Sequence, residues 1–373
     1  MNILLTFTFN YSLKTWEEAG ILDRELGYYK KLSDKHNIKF VFLTYGYKSE
    51  KKYLTNYPTI EVIPIYDFIK PTNNKCLLFL KTFFVPFLIR KKVSDISIIK
   101  TNQLNGSWLA ILLKLVTNKP LFIRTGYDAF LFSVKEKKSF IKRILFYLLT
   151  QLSLLVSNFY TVSSTDDYKF IIKNYIFKKS KLHVRHNWVK ENNNIEFSER
   201  DKSKIISVGR LVSQKNYQYL INEFSNSEYA IDIVGTGPES EKLINQAKKS
   251  NTKVNFLGNL DNENLLKLLN EYKYFISTSL FEGNPKATLE AMSSGCIVFA
   301  VNIPNNSEII RHEENGILYQ TKEGRLLSIF EQVSNNDDLS NKLSKNAFRD
   351  SKTNFSMDKM IETEYQDLLN LSK

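Results

Sequence analysis

Two carboxylates, Glu282 and Glu290, stand eight positions apart on either side of the turn Gly283-Asn284-Pro285. Tyr274, Phe275 and Ile276 before the turn suit a short buried strand. Leu289, Ala291 and Met292 after it suit a helix packed against a sheet. A strand-turn-helix junction points free backbone N–H groups and the positive end of the helix dipole at one place, which favours a phosphate. A carboxylate on each side of that place accepts hydrogen bonds from hydroxyls. A diphosphate with a sugar at each end has this layout, so the pattern points to a nucleotide-sugar site. Glu-x7-Glu pairs and Gly-Pro turns also occur in chains without such a site, so the surrounding residues have to decide.

Upstream, Ile205-Ile206-Ser207-Val208 reads as an apolar strand ending in Gly209-Arg210-Leu211. Gln214-Lys215-Asn216 and the helical run Tyr219-Leu220-Ile221 follow. Arg210 leaves the strand end and Lys215 the next turn, so both can reach one pyrophosphate. Taken singly, each is an ordinary solvated charge.

Together these segments resemble glycosyltransferase family 4, whose members are retaining enzymes with the two-domain GT-B fold. Phe281 to Met292 is similar to the E-x7-E motif in its form E-G-x-P-N-x-x-L-E-A-M, with Lys286 where Asn is usual, and Ser293-Ser294-Gly295-Cys296-Ile297-Val298 continues it. Gly209 to Asn216 resembles the block G-R-L-x-x-x-K-N. Ile231 to Glu239, Val254 to Leu260 and Ser307 to Leu318 resemble the blocks that follow, with Asn305-Asn306 in place of two glycines. The resemblance is strong over about residues 203–320. It implies that Arg210 and Lys215 neutralise the leaving diphosphate, Glu282 holds the sugar hydroxyls and Glu290 the ribose. Gly209, Leu257, Asn284, Pro285, Lys286 and Ala287 complete the implied donor site. In the first half, Leu121-Phe122-Ile123-Arg124-Thr125-Gly126-Tyr127-Asp128 resembles a strand and loop ending in T-x-H-D, with Tyr127 in place of the histidine. Tyr127 is then either a loop aromatic or a hydroxyl on the acceptor and sugar side, next to Asp128.

Positioning these residues takes strands that alternate with helices, which predicts an α/β chain with doubly wound parallel sheets. The resemblance makes this GT-B, two Rossmann-like domains facing a central cleft. The 373 residues, 43% hydrophobic and 13% aromatic, suit two cores. The expected division is an acceptor-binding domain over 1–188, a linker over 189–202 through Lys190-Glu191-Asn192-Asn193-Asn194, and a nucleotide-sugar-binding domain over 203–353. A helix over 354–373 is expected to cross back to the first domain. Met1 to Phe9 reads as a first strand, since it has neither a basic lead nor an apolar run of signal length.

Charge separates the halves. Residues 1–190 hold 31 Lys and Arg against 13 Asp and Glu, a net +18, and residues 191–373 hold 21 against 26, a net −5. The basic half suits an anionic leaflet or a phosphorylated acceptor. No nucleic-acid module is recognisable, so no nucleic-acid partner is expected. Two apolar runs bear on the membrane, Leu77 to Ile89 followed by Arg90-Lys91-Lys92, and Ile144 to Val156 preceded by Lys142-Arg143. Both are shorter than the ~20 apolar residues of a spanning helix. Each is either an interfacial helix or one packed in a core or between domains, and the packed reading is preferred for residues 144–156. Cys76 and Cys296 lie far apart in sequence, so no disulfide framework and a reducing, cytoplasmic location are expected, peripheral on the inner face of the cytoplasmic membrane. With four histidines and no Asp-x-Asp, no metal and no other cofactor is expected.

The activity implied is transfer of a sugar, with retention, from a UDP- or GDP-linked donor to a glycan or lipid-linked acceptor in cell-surface polysaccharide biosynthesis (capsule or lipopolysaccharide). The resemblance implies departure of the diphosphate from the face the acceptor attacks. A nucleotide-sugar epimerase of the same architecture and a catalytically inactive sugar-nucleotide-binding scaffold are the alternatives.

Overall fold

The computed structural model describes residues 1–190, 192, 197 and 200–372. They form two compact units, Met1–Arg185 together with the chain from Ile361 onward, and His186–Met360. The first unit carries strands β1 (Asn2–Thr6), β2 (Lys39–Thr44), β3 (Ile60–Pro64), β4 (Ile98–Thr101), β5 (Leu121–Arg124), β6 (Phe159–Val162) and β7 (Leu182–Val184). The second carries β8 (Asp201–Val208), β9 (Ala230–Val234), β10 (Lys253–Gly258), β11 (Tyr272–Ser277), β12 (Ile297–Val301) and β13 (Ile317–Tyr319). Among the described residues the sheet orders are β3-β2-β1-β4-β5-β6-β7 and β10-β9-β8-β11-β12-β13. Every strand pair is parallel.

Such sheets carry helices on both faces, so their inner strands are apolar throughout rather than alternating. Accordingly β12, Ile-Val-Phe-Ala-Val, is buried at every position, and so is β11 despite its Lys273. Phe224, Tyr274, Phe299 and Phe330 close one face of the second sheet edge to face. In the first unit Tyr29, Phe40 and Phe42 do the same. Helix Leu22–His36 presents Leu26, Tyr29 and Leu32 inward at helical spacing and stops at Asn37, whose left-handed φ of 51° lets its N–H reach the Ser33 carbonyl.

Both sheets reverse strand order between the first and fourth strands of their units, at β1/β4 and β8/β11. In open α/β sheets, ligands settle outside the carboxyl ends of the strands at such a switch point. Arg210 and Glu282 follow the two switch strands of the second unit.

Within the expected linker 189–202, residues 191, 193–196, 198 and 199 lie outside the described residues. Val189 is tied down. Its N–H donates to the Phe355 carbonyl, and its carbonyl accepts from Met357 N–H. Strand β8 begins at Asp201. The last helix, Met357–Ser372, starts in the second unit, and from Ile361 it belongs to the first.

Candidate functional site

The carboxyl end of β8 is shaped by glycines that do not need to touch a ligand. Gly235 has φ +138°, and a Cβ there would lie 2.1 Å from the Gly209 carbonyl oxygen; a Cβ on Gly237 would lie 2.3 Å from that of Leu211. The loop after β9 therefore lies backbone on backbone against Gly209-Arg210-Leu211. Three hydrogen bonds hold the contact, Gly209 N–H to Val234 at 2.9 Å, Leu211 N–H to Thr236 at 2.9 Å and Glu239 N–H to Leu211 at 3.0 Å. Arg210 leaves this fixed backbone with its side chain exposed. Leu257 lies near the end of β10, also exposed.

Lys215 is positioned by a second set of contacts. The turn Ser213–Lys215 ends at Asn216, whose φ of 52° reverses the chain into helix Tyr217–Glu223. Leu280 N–H donates to the Gln214 carbonyl at 2.9 Å, Gln214 Nε2 to the Phe281 carbonyl at 2.7 Å, and Thr278 Oγ1 to the Lys215 carbonyl at 2.7 Å. These bonds lace the exit of β8 to the exit of β11. The ammonium of Lys215 then lies 2.5 Å from Glu282 Oε1. Gly209 leaves room for its stem, since a Cβ there would meet Lys215 Cε at 3.0 Å.

Helix Lys286–Ser293 begins at Pro285 with no side-chain cap. Its first backbone donors therefore lack a capping side chain, as at many anion sites. The turn before it is braced by three hydrogen bonds from two asparagines. Asn187 N–H donates to Asn284 Oδ1 at 3.1 Å, Asn187 Nδ2 to the Asn284 carbonyl at 3.0 Å, and Asn305 Nδ2 to the Gly283 carbonyl at 2.5 Å. Lys286 lies with its ammonium 4.8 Å from the centre of the Trp188 ring. Glu290 is buried on this helix and accepts from Asn262 Nδ2 at 2.9 Å. Ala287 packs against the core.

The structure thus brings Gly209, Lys215 and Glu282 together and places Arg210, the 284–287 turn and Glu290 on elements around the same switch point. Gln214, Asn187, Asn262 and Asn305 are the residues that sequence reasoning left without a role here. Asn305-Asn306, read as a departure from two glycines, is built in. Both are buried, and Asn306 Nδ2 donates to the Val301 carbonyl at 2.8 Å, closing the end of β12.

Tyr127 and Asp128 belong to the first unit. Tyr127 is half exposed and stacks on Phe132 with ring centres 4.0 Å apart. Asp128 faces inward as the N-cap of helix Ala129–Lys135, accepting from Leu131 N–H at 2.7 Å and from the Tyr175 hydroxyl at 3.1 Å. Burial pushes its carboxyl up to about 6. Among the described residues, no group of three or more His, Cys, Asp or Glu is placed to hold a metal ion.

Residues 189–350 match the family model described as "Glycosyl transferases group 1". The chain is 30% identical over 131 residues to the UDP-N-acetylglucosamine–peptide N-acetylglucosaminyltransferase GtfA subunit of Streptococcus agalactiae, which covers 33% of this chain and 25% of that one. It is 28% identical over 249 residues to the capsular polysaccharide biosynthesis glycosyltransferase CapH of Staphylococcus aureus, covering 62% and 67% respectively. The chain spans a third or less of the length of the first curated relatives it matches. Over 99% of this chain and all of the other, it superposes on Anabaena HepE, solved with UDP and glucose, with a TM-score of 0.77 at 15% identity. The chain therefore has the GT-B fold, and the strands and turns of its candidate site fall within a segment that matches glycosyl transferases group 1.

Proposed function

We propose that this protein is a retaining glycosyltransferase of family 4 type that takes a sugar from a nucleoside-diphosphate donor. The observation that carries the reading is the Lys215–Glu282 contact beside the uncapped start of helix Lys286–Ser293. A cation, a carboxylate and a helix start without a side-chain cap, at a sheet switch point, match a diphosphate joined to a polyhydroxylated ring. The UDP and glucose held by HepE support the donor class, and the UDP- or GDP-linked forms are the ones to test.

In this reading Arg210 and Lys215 offset the charge that grows on the leaving diphosphate, and the backbone N–H groups of Asn284, Lys286 and Ala287 assist them. Glu282 holds the transferred sugar through its hydroxyls, and Glu290, oriented by Asn262, holds the ribose. Leu257, Gly209, Pro285, Lys286 and Ala287 complete the donor site. The residues supply the positive charge themselves, so turnover is expected to survive a chelator. The names of CapH and of a Campylobacter jejuni transferase acting on a diphospho-undecaprenol-linked sugar support an acceptor in cell-surface polysaccharide synthesis, a glycan or a lipid-linked glycan.

Thermal shift with UDP, GDP, ADP and CMP tests the donor. The matching nucleotide raises the melting temperature by mass action. A sugar-transfer assay with that donor, with and without EDTA, tests the rest. No shift with any of the four, or activity that disappears in EDTA and returns with a divalent ion, would overturn the corresponding part.

A further inference from the structure

Helix Phe140–Val156 turns an apolar stripe to solvent. At 3.6 residues per turn, Phe140, Ile141, Ile144, Leu145, Leu148 and Leu152 fall within an arc of about 140°, and all six are exposed. Phe140 is 73% exposed, Ile141 71% and Leu145 59%. Away from that stripe Leu154 is buried in the core, with two polar residues buried beside it. Thr150 and Ser153 are sealed from solvent, and Ser153 Oγ donates to Ser107 Oγ at 2.9 Å. Packing in a core, one part of the preferred reading of this run, therefore fails for its apolar stripe. The run Leu77 to Ile89 forms two short helices, Lys75–Thr82 and Val85–Ile89, and leaves Leu80, Phe84, Phe87 and Leu88 exposed. Helices Val85–Ile89 and Phe140–Val156 both pack against helix Ser107–Thr117, whose Leu115 is exposed as well. The apolar side chains thus belong to one helical layer of the first unit.

A six-residue apolar stripe on one helix, with more exposed apolar side chains on the same helical layer, marks an interaction site rather than ordinary surface scatter. Its surroundings name the occupant. Lys137, Lys138 and Lys142 stand exposed at the start of the long helix, and Arg90, Lys91 and Lys92 just after the short one. The half of the chain that carries them has a net charge of +18 against −5 for the rest. Among the described residues, no helix is long and apolar enough to cross a membrane. We propose that this layer of the first unit docks flat on an anionic bilayer, with the stripe of Phe140–Val156 and the residues Leu80 to Leu88 in the acyl boundary and the lysines and arginines at the headgroups.

The proposal does not depend on the donor site, so its test reads binding and not turnover. The full chain is sedimented with vesicles of equal parts phosphatidylglycerol and phosphatidylcholine, and with phosphatidylcholine alone, at low and high salt. Binding to the anionic vesicles is expected to exceed binding to the neutral ones at least tenfold at low salt and to weaken with salt. The combined variant Ile141→Asp, Leu145→Asp, Leu148→Asp changes only exposed positions, so its melting temperature should stay within a few degrees of wild type while vesicle binding falls at least tenfold. Arg90→Gln, Lys91→Gln, Lys92→Gln together should reduce the anionic preference and leave the weak neutral binding as it was. Absence of wild-type binding at low salt, or equal binding by the aspartate variant, overturns the proposal. So does a wild-type dimer in lipid-free solution that the aspartate variant converts to a monomer without loss of vesicle binding. That result would make the stripe an interface between copies.

Discussion

Lys215 has two claims on its charge. It is paired with Glu282 at 2.5 Å, whereas exposed Arg210 makes no ion pair among the described residues. A bound diphosphate would draw on both cations, and each charge-assisted contact is worth roughly 1.5–3 kcal/mol. Arg210→Ala and Lys215→Ala are each expected to weaken nucleoside-diphosphate binding by about ten- to a hundredfold and to lower turnover with the fold retained, the melting temperature staying unchanged for exposed Arg210 and falling for Lys215, whose loss leaves buried Glu282 without its partner. Calorimetric titration checks this, and wild-type affinity in both variants would remove the site. The two glutamates separate by readout. Glu290→Gln should reduce affinity for the free nucleotide. Glu282→Gln releases Lys215 from its partner, so nucleotide binding should hold or tighten while sugar transfer falls about 100-fold, the scale of a lost preorganised contact. Equal loss of nucleotide affinity in the two variants would count against this division of roles.

At the scale of elements, the site depends on loops that touch through their backbones. Gly235→Ala puts a methyl group 2.1 Å from the Gly209 carbonyl at a φ of +138°, so the β8 exit must move. The expected cost is about 1–3 kcal/mol of stability, together with weaker diphosphate binding as Arg210 shifts. Denaturant unfolding and titration on the same sample check both, and full affinity in a destabilised variant would show that the loop does not set Arg210. The cap of helix Ala129–Lys135 makes a pH prediction. Burial, partly offset by the Leu131 amide and the Tyr175 hydroxyl, pushes Asp128 up to about 6. The folded state therefore holds this proton more tightly than the unfolded chain. The contribution is full below the ordinary carboxylate range and is lost as pH rises through about 6. Asp128→Asn keeps a capping acceptor and removes the titration. Relative to wild type, its stability should rise between pH 4 and pH 7, by an amount on the order of 3 kcal/mol. A difference that stays flat with pH, measured by urea unfolding, would show that Asp128 ionises without cost.

At the scale of the molecule, the chain end is held to the first unit by buried charge. Glu364 lies 3.4 Å from Lys100 Nζ and 3.3 Å from Arg124 Nη1, and it accepts from the Tyr28 hydroxyl at 3.1 Å. Three residues on, Asp367 accepts two bonds of 2.7 Å from Arg185. Burial holds the Lys100 ammonium below its usual range, with Glu364 opposing that shift. Removing one partner of such a buried set leaves the other charge uncompensated, which costs about 3–5 kcal/mol. Glu364→Ala should lose that much stability, while Glu362→Ala, on the exposed side of the same helix, should change it by less than about 0.5 kcal/mol. Similar effects from the two substitutions would mean that the buried charges do not hold the helix.

Much of the candidate site was legible in the chain because its parts are local. A strand that ends in Gly-Arg, a turn with Lys215, and a Gly-Asn-Pro junction between Glu282 and Glu290 each declare strand, turn and helix within about ten residues. The parallel sheets were legible for the same reason, as unbroken apolar runs such as Ile297 to Val301 separated by helical patterns. What tertiary structure decided is how distant residues meet. Lys215 and Glu282 are 67 positions apart and Arg124 and Glu364 240 apart, and no local pattern couples such pairs. The asparagines that brace the turn at 283–285 were hidden because Asn in a loop looks alike whether it faces solvent or a buried carbonyl. The outward stripe of helix Phe140–Val156 was hidden for a related reason. Periodicity reports that a stripe is apolar, but only the packing of Ser153 on Ser107 shows that the stripe faces outward.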